Sequence, residues 1–149
     1  ITKSNDTAGN NLQADTTVNE IATYYVVVAD TNPGYYFLRK KMFHLNRELN
    51  IPVDTMGRYF NKEKNLIALP DDDEDEVYAG DYLPRRFPSN SLSLEYLNFY
   101  KEDSGEKTIA LVSGIYEKEK SADSALSILN RIEKNGFKIK AEIYTGCIH

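Results

Sequence analysis

The strongest structural signal in the sequence is a strand, a helix and a strand in succession in the last third of the chain. Thr108–Tyr116 is an apolar run rich in branched side chains. Ser121–Asn135 spaces apolar side chains at helical intervals, and Gly136 follows as a stop signal. Lys138–Tyr144 alternates apolar and polar side chains, which is typical of a strand with one buried face. This unit predicts a fold, but it carries no catalytic motif.

The first half of the chain shows the same order of elements. Ile21–Asp30 is an almost unbroken apolar strand, as expected for a central position in a sheet. Asn32-Pro33 predicts the start of a helix that ends near Asn50. Val53–Phe60 is predicted to be the next strand, and a polar turn leads from it to Leu66–Leu69.

Two such halves predict an α+β fold with the ferredoxin-like order β-α-β-β-α-β. Its simplest form is a four-stranded antiparallel sheet with both helices on one face. The most apolar strands, Tyr24–Ala29 and Ile109–Ile115, should form the central pair. The more polar strands that end each half should lie at the edges, where charged side chains discourage further pairing.

A long segment, residues 70–107, separates the two halves. It exceeds what a compact fold of this order needs, and its aromatic residues predict that it packs on the sheet. We therefore divide the chain into a flexible N-terminal tether, residues 1–20, and a single α+β domain, residues 21–149, with an insert at 70–107. A start at Ile1, together with the polar composition of the tether, leads us to expect a removed export signal or lipid anchor before it. A trimmed cytosolic chain is the other interpretation.

The distribution of charge argues against nucleic acid as a partner. The net charge is −5, and the insert holds seven acids without a base among them, at Asp71, Asp72, Asp73, Glu74, Asp75, Glu76 and Asp81. The other 16 acids and 18 bases nearly balance, so the sequence predicts no basic stripe for phosphates. A single cysteine excludes an internal disulfide, and the sequence indicates no cofactor, no zinc site and no membrane-spanning segment.

The second half resembles the sporulation-related repeat, or SPOR domain, of bacterial envelope proteins. Ala110–Tyr116 resembles the apolar strand of that family, which ends in a glycine and an aromatic residue. Ser121–Leu126 resembles the start of its helix, and Asn135–Phe137 resembles the glycine and apolar residue that close the helix. The first half departs from the pattern, and the insert has no counterpart in it. The resemblance implies the β-α-β-β-α-β fold, a periplasmic or cell-envelope location and binding of peptidoglycan glycan strands.

Tyrosine is the unusual residue type, with eleven copies in a chain that has no tryptophan. Tyrosines on the sheet face opposite the helices would stack on sugar rings while their hydroxyls bond polar groups. The candidate ligand-binding residues are Tyr25, Arg58, Tyr59, Tyr116 and Tyr144. The other interpretation is that these tyrosines fill the core or lie under the insert, and alternation does not distinguish the two faces of the central strands.

Two further candidate sites compete with plainer interpretations. The acidic run 71–76 offers carboxylates for calcium, but Glu76 and Tyr82 stand where an EF-hand needs glycine and glutamate, so a solvated loop facing Arg85 and Arg86 is favoured. Cys147 and His149 offer a nucleophile and a base, but they lie at the chain end, where holding catalytic geometry is difficult. The sequence therefore predicts a non-catalytic envelope module that binds glycan, or alternatively a structural or protein-interaction module that binds an envelope protein.

Overall fold

The structure, a computed structural model, describes residues 20–146. Residues 1–19 of the expected tether, and Cys147 and His149, lie outside the described residues. The elements in chain order are β1 (Ile21–Asn32), α1 (Tyr35–Leu49), β2 (Tyr59–Asn61), β3 (Leu66–Ala68), β4 (Ser93–Tyr96), a 3₁₀ turn (Leu97–Phe99), β5 (Ile109–Tyr116), α2 (Glu119–Leu129) and β6 (Phe137–Tyr144).

Four strands form the main sheet in the order β4-β5-β1-β6, with every neighbouring pair antiparallel. The predicted α+β fold with two helices and a four-stranded antiparallel sheet is confirmed. So is the central pair, because β1 and β5 are the two strands that have neighbours on both sides. Both helices cover one face: Leu38 of α1 and Leu129 of α2 share a buried cluster with Val27 of β1.

One edge of the sheet comes from the insert and not from the strand predicted at Val53–Phe60. That prediction was wrong, because Met56 and Gly57 both adopt positive φ (56° and 78°) and turn the chain out of the sheet. Val53 keeps a single parallel bridge to Leu92, just before β4. The residues after the turn form a separate two-stranded sheet, β2-β3. The insert therefore supplies edge strand β4, all four of whose residues are buried.

The insert also covers the sheet face opposite the helices. Val26, Val112 and Ile143 on that face pack in a second buried cluster with Leu97 and Tyr100, which follow β4. This agrees with the expectation that the insert packs on the sheet. It also means that side chains on this face are buried beneath the insert and do not form an open surface.

Helix α2 is shorter than the Ser121–Asn135 helix predicted from periodicity. It begins at Glu119 and ends at Leu129, and the Asn130 side-chain amide donates to the carbonyl oxygen of Glu133 (2.8 Å). This bond closes a turn after the helix and replaces its continuation. Within the described residues, no helix combines the length and the apolar character needed to cross a membrane.

Candidate functional site

The candidate tyrosines do not form one surface. Tyr25 and Tyr116 are cross-strand partners on β1 and β5, and both pack partly buried against the helix-side cluster. Tyr144 ends β6, with its hydroxyl 3.4 Å from a Glu20 carboxylate oxygen. Tyr59 lies on the separate hairpin and is 46% exposed. Of the two interpretations left open by the sequence, the structure excludes a surface of Tyr25 and Tyr116 opposite the helices, because both face the helices and the insert covers the other face.

Arg58 is buried and paired, so its proposed role as a polar neighbour of a surface ligand needs correction. Its two terminal nitrogens donate to the two carboxylate oxygens of Glu95, both at 2.7 Å, and the side chains are 2% and 0% exposed. Such a bidentate pair is geometrically specific. Glu95 escaped sequence analysis because it is a lone charge in the apolar run Leu92–Tyr100, and nothing local signals its partner.

Neighbouring polar groups add three further hydrogen bonds to this ion pair. The Tyr82 hydroxyl donates to Glu95 (2.7 Å), while Arg58 also donates to the carbonyl oxygens of Leu83 (3.1 Å) and Thr55 (2.8 Å). Burial opposes the charge on Arg58, but the attraction of Glu95 outweighs it and raises the pKa of Arg58. The network ties the insert to the turn before β2.

We expect the free energy of unfolding to fall as the pH rises above about 10. Burial, and then the charge of Glu95, raises the pKa of Tyr82 and Tyr100 well above the ordinary value of 10.0. In the unfolded chain both phenols ionise near pH 10, whereas the folded protein still holds both protons. The unfolded state therefore binds fewer protons, and stability decreases as pH increases through this window.

Urea unfolding at pH 8 and at pH 11 measures this pH dependence. The double variant Tyr82→Phe/Tyr100→Phe removes both phenols, so its stability should change less between the two pH values than that of the wild type. The quantity compared is the change in the free energy of unfolding with pH, because the variant also loses three hydrogen bonds at every pH. Equal slopes for the two proteins would contradict the assignment.

Arg85 is a second buried arginine, 4% exposed, and it holds the loop before β4 in place. One of its terminal nitrogens donates to the carbonyl oxygen of Ser91 (3.0 Å) and to the Ser93 hydroxyl (2.9 Å). The other donates to the carbonyl oxygen and the hydroxyl of Ser89, both at 2.9 Å. Burial lowers the pKa of Arg85 from its ordinary value, an effect that the charge of Glu95 partly offsets.

The loop that Arg85 holds forms one wall of a cleft at the end of β5. Ser89 and Ile115 exchange two backbone hydrogen bonds of 3.0 Å, which fix the loop against the strand. Asn90, next along the loop, accepts a hydrogen bond from the Tyr116 hydroxyl through its side-chain oxygen (2.8 Å). We call this space the Tyr116 cleft.

The Tyr116 cleft has an apolar part and a polar part that meet at Tyr116 and Asn90. The apolar part encloses about 410 Å³ between the end of α1, α2 and β5. The adjoining polar part has a volume of about 390 Å³. The apolar part is lined by Leu49, Ile51, Ala125, Ile128 and Leu129 together with Ser113, and the polar part by Ser89, Glu117, Lys118 and Ser121 together with Pro88 and Ile115.

Gly114 sets the position of the Tyr116 ring. A methyl group on Gly114 would meet the hydroxyl and ring carbons of Tyr116, so the ring lies across the strand where only glycine leaves room. Burial raises the pKa of the Tyr116 phenol above its ordinary value of 10.0. Of the glycine and aromatic residue that carried the resemblance, Tyr116 lines both parts of the cleft and Gly114 leaves room for its ring.

The sequence suggested that the acidic run faces Arg85 and Arg86. In the structure its carboxylates have other partners. Asp71 bonds Lys64 at the surface (2.8 Å), and Asp75 accepts the backbone N–H of Val77 (3.0 Å). Arg86 instead donates to the carbonyl oxygen of Tyr144 and to the Tyr78 hydroxyl, both at 2.8 Å. Between residues 20 and 146, no group of three His, Cys, Asp or Glu side chains lies close enough together to hold a metal ion.

Comparisons with known proteins identified no similar protein. No protein-family model, no curated protein and no solved structure matches the chain significantly.

Proposed function

We propose that the protein is a non-catalytic binding module of the bacterial cell envelope, located in the periplasm, whose ligand is the glycan of peptidoglycan. The observation that carries the proposal is the Tyr116–Asn90 pair at the junction of the apolar and polar parts of the cleft. A sugar ring presents an apolar face of C–H groups and a rim of hydroxyls. A cleft that combines aromatic and aliphatic walls with a few polar groups suits such a ligand.

The apolar and polar parts of the cleft offer different contacts to a sugar. Ile51 and Ile128 offer apolar contacts to the ring face or to an acetyl methyl group. The Asn90 amide nitrogen is free to donate, because the Tyr116 hydroxyl occupies only the side-chain oxygen. Lys118 and Ser121 add donors for hydroxyl or carboxylate oxygens at the polar end. The resemblance of Ala110–Tyr116 and Ser121–Leu126 to the SPOR pattern supports the envelope as the location.

Cosedimentation with intact peptidoglycan and with glycan strands stripped of their peptides tests the proposal. We expect stripped strands to retain more protein, since more glycan is accessible on them. Tyr116→Ala should weaken retention about tenfold, because it removes the ring contact and the hydroxyl that orients Asn90. Asn90→Ala keeps the ring and should cost about threefold.

Tyr59→Ala is the matched control for this experiment. It makes the same truncation at an exposed strand tyrosine that does not line the cleft, so retention should not change. Thermal unfolding establishes that each variant is folded before retention is compared. Equal losses for Tyr59→Ala and Tyr116→Ala, or no retention of the wild type on either material, would overturn the glycan proposal.

The alternative is a structural or protein-interaction module that binds an envelope protein and no glycan. Phe87 favours it, because this side chain is 59% exposed within Pro84–Pro88 while Arg85, two residues earlier, is buried. Exposed aromatic residues on a rigid segment are common anchors at interfaces. Under this alternative, Phe87→Ser abolishes assembly with the envelope protein and Tyr116→Ala leaves it unchanged.

A further inference from the structure

Strand β6, eight residues long, lies at an edge of the main sheet as the described residues form it. It pairs with β1 along its whole length, and no other strand of the described chain lies on its outer side. Lys140 and Glu142 are exposed on it. An edge of this length presents a row of backbone donors and acceptors, which is a template for another strand.

The pairing with β1 determines which backbone groups of β6 point outward. The N–H of Thr145 donates to the carbonyl oxygen of Glu20 (2.7 Å), and the register from Ile21↔Tyr144 to Val28↔Phe137 has no shift. In an antiparallel pair, residues alternate between facing the partner strand and facing away. The N–H and C=O groups of residues 138, 140 and 142 therefore point away from β1.

The sequence of β6 is complementary to itself about Ala141. Lys140 and Glu142 flank this alanine on the helix side of the sheet, and Ile139 and Ile143 lie one step further out on the other side. If two copies of β6 pair antiparallel about an axis at Ala141, each Lys140 lies opposite Glu142 of the second copy. Each Ile139 then lies opposite Ile143, and the outward backbone groups of residues 140 and 142 meet each other.

From this symmetry we propose that the protein forms a two-fold symmetric dimer by pairing β6 with β6 of a second copy, which joins the two sheets into one of eight strands. A two-fold axis makes the contact isologous, so every favourable pair occurs twice. Edge lysines normally discourage such pairing. In this register, however, each Lys140 meets a carboxylate, while Lys138 is already held by Glu119 and Asp123 of α2.

The contact is short, which sets the strength of association to expect. Arg86 occupies the Tyr144 carbonyl oxygen (2.8 Å) at one end of the strand, so the central residues 140 and 142 carry the pairing. They supply four backbone hydrogen bonds and two Lys–Glu pairs around the axis. The dimer should therefore be in equilibrium with the monomer and depend on concentration.

Sedimentation velocity between about 10 μM and about 1 mM measures this equilibrium. Lys140→Glu places two carboxylates opposite each other on both sides of the axis, and Glu142→Lys places two lysines opposite each other in the same way. Each single reversal should raise the dimer dissociation constant about tenfold, because like charges then face each other twice. The double variant Lys140→Glu/Glu142→Lys exchanges the two charges and should restore the constant of the wild type.

Lys40→Glu is the matched control, since it makes the same charge change on the exposed side of α1 and should leave the dimer unchanged. Hydrogen exchange gives a second readout: the amides of Lys140 and Glu142 should exchange more slowly at high protein concentration. Thermal unfolding shows whether each variant is folded. A wild type that stays monomeric over the whole range, single reversals without effect, or a double variant that fails to restore the dimer would each overturn the proposal.

Discussion

Replacing Glu95 with alanine is expected to lower the free energy of unfolding by about 3–5 kcal/mol. The substitution leaves the Arg58 guanidinium, whose side chain is 2% exposed, without its counter-charge. It also removes the acceptor of the Tyr82 hydroxyl. Burial keeps both groups from water, so neither loss is compensated by hydration. Urea unfolding at neutral pH measures the difference.

The double variant Arg58→Met/Glu95→Leu separates an uncompensated charge from a general loss of packing. It removes both charges and keeps similar side-chain volumes, so it should be more stable than Glu95→Ala. It should not reach the wild type, because the Leu83 carbonyl loses its donor and the Thr55 carbonyl keeps only the backbone N–H of residue 58. A loss below about 1 kcal/mol for Glu95→Ala would contradict the arrangement described for this pair.

Arg85→Met is expected to cost about 3 kcal/mol and to free the loop that carries Asn90. Four acceptor atoms on Ser89, Ser91 and Ser93 each lose a hydrogen bond, and three of the four belong to the loop before β4. Methionine fills most of the volume but offers no hydrogen-bond donor. Hydrogen exchange should show faster exchange at the amides of Ser89 and Ile115, which pair across the wall of the Tyr116 cleft.

Arg86→Met provides a control at the adjacent residue. Arg86 is only partly buried and bonds the Tyr144 carbonyl oxygen and the Tyr78 hydroxyl, which water can also reach. Its loss should cost about 1 kcal/mol or less and should leave the exchange of Ser89 unchanged. If the two variants were equally destabilised, the assigned role of Arg85 would be wrong.

The order and type of the main elements could be predicted from the sequence because their signals are local. The apolar runs of β1 and β5 show that both strands are central, and the strict alternation of β6 shows that it is half buried. Helical spacing predicted the two helices, and the β-α-β-β-α-β order placed both on one face of the sheet. These patterns depend on residues a few positions apart, so the physics of burial can be read from them directly.

Of the candidate site, the sequence indicated Tyr116 and, through the resemblance, the glycine that precedes it by two residues. It did not indicate Asn90 or Arg85, which are polar residues in a loop with no recognisable pattern. Arg58 was assigned to the candidate ligand site as a polar neighbour of the strand tyrosines. Its burial depends on Glu95, 37 residues later in the chain.

The sequence by itself therefore determined the α+β architecture, the central strands and the buried side of each helix, because local periodicity decides which side of an element is buried. Only the tertiary structure decided which strand forms the edge beside β5, which face each tyrosine takes, and which charges are paired. Those outcomes depend on contacts between distant segments: β4 displaces Val53 from the sheet, and Arg85 holds Asn90 beside Tyr116. Such contacts have no fixed spacing along the chain, so no periodic pattern of residues encodes them.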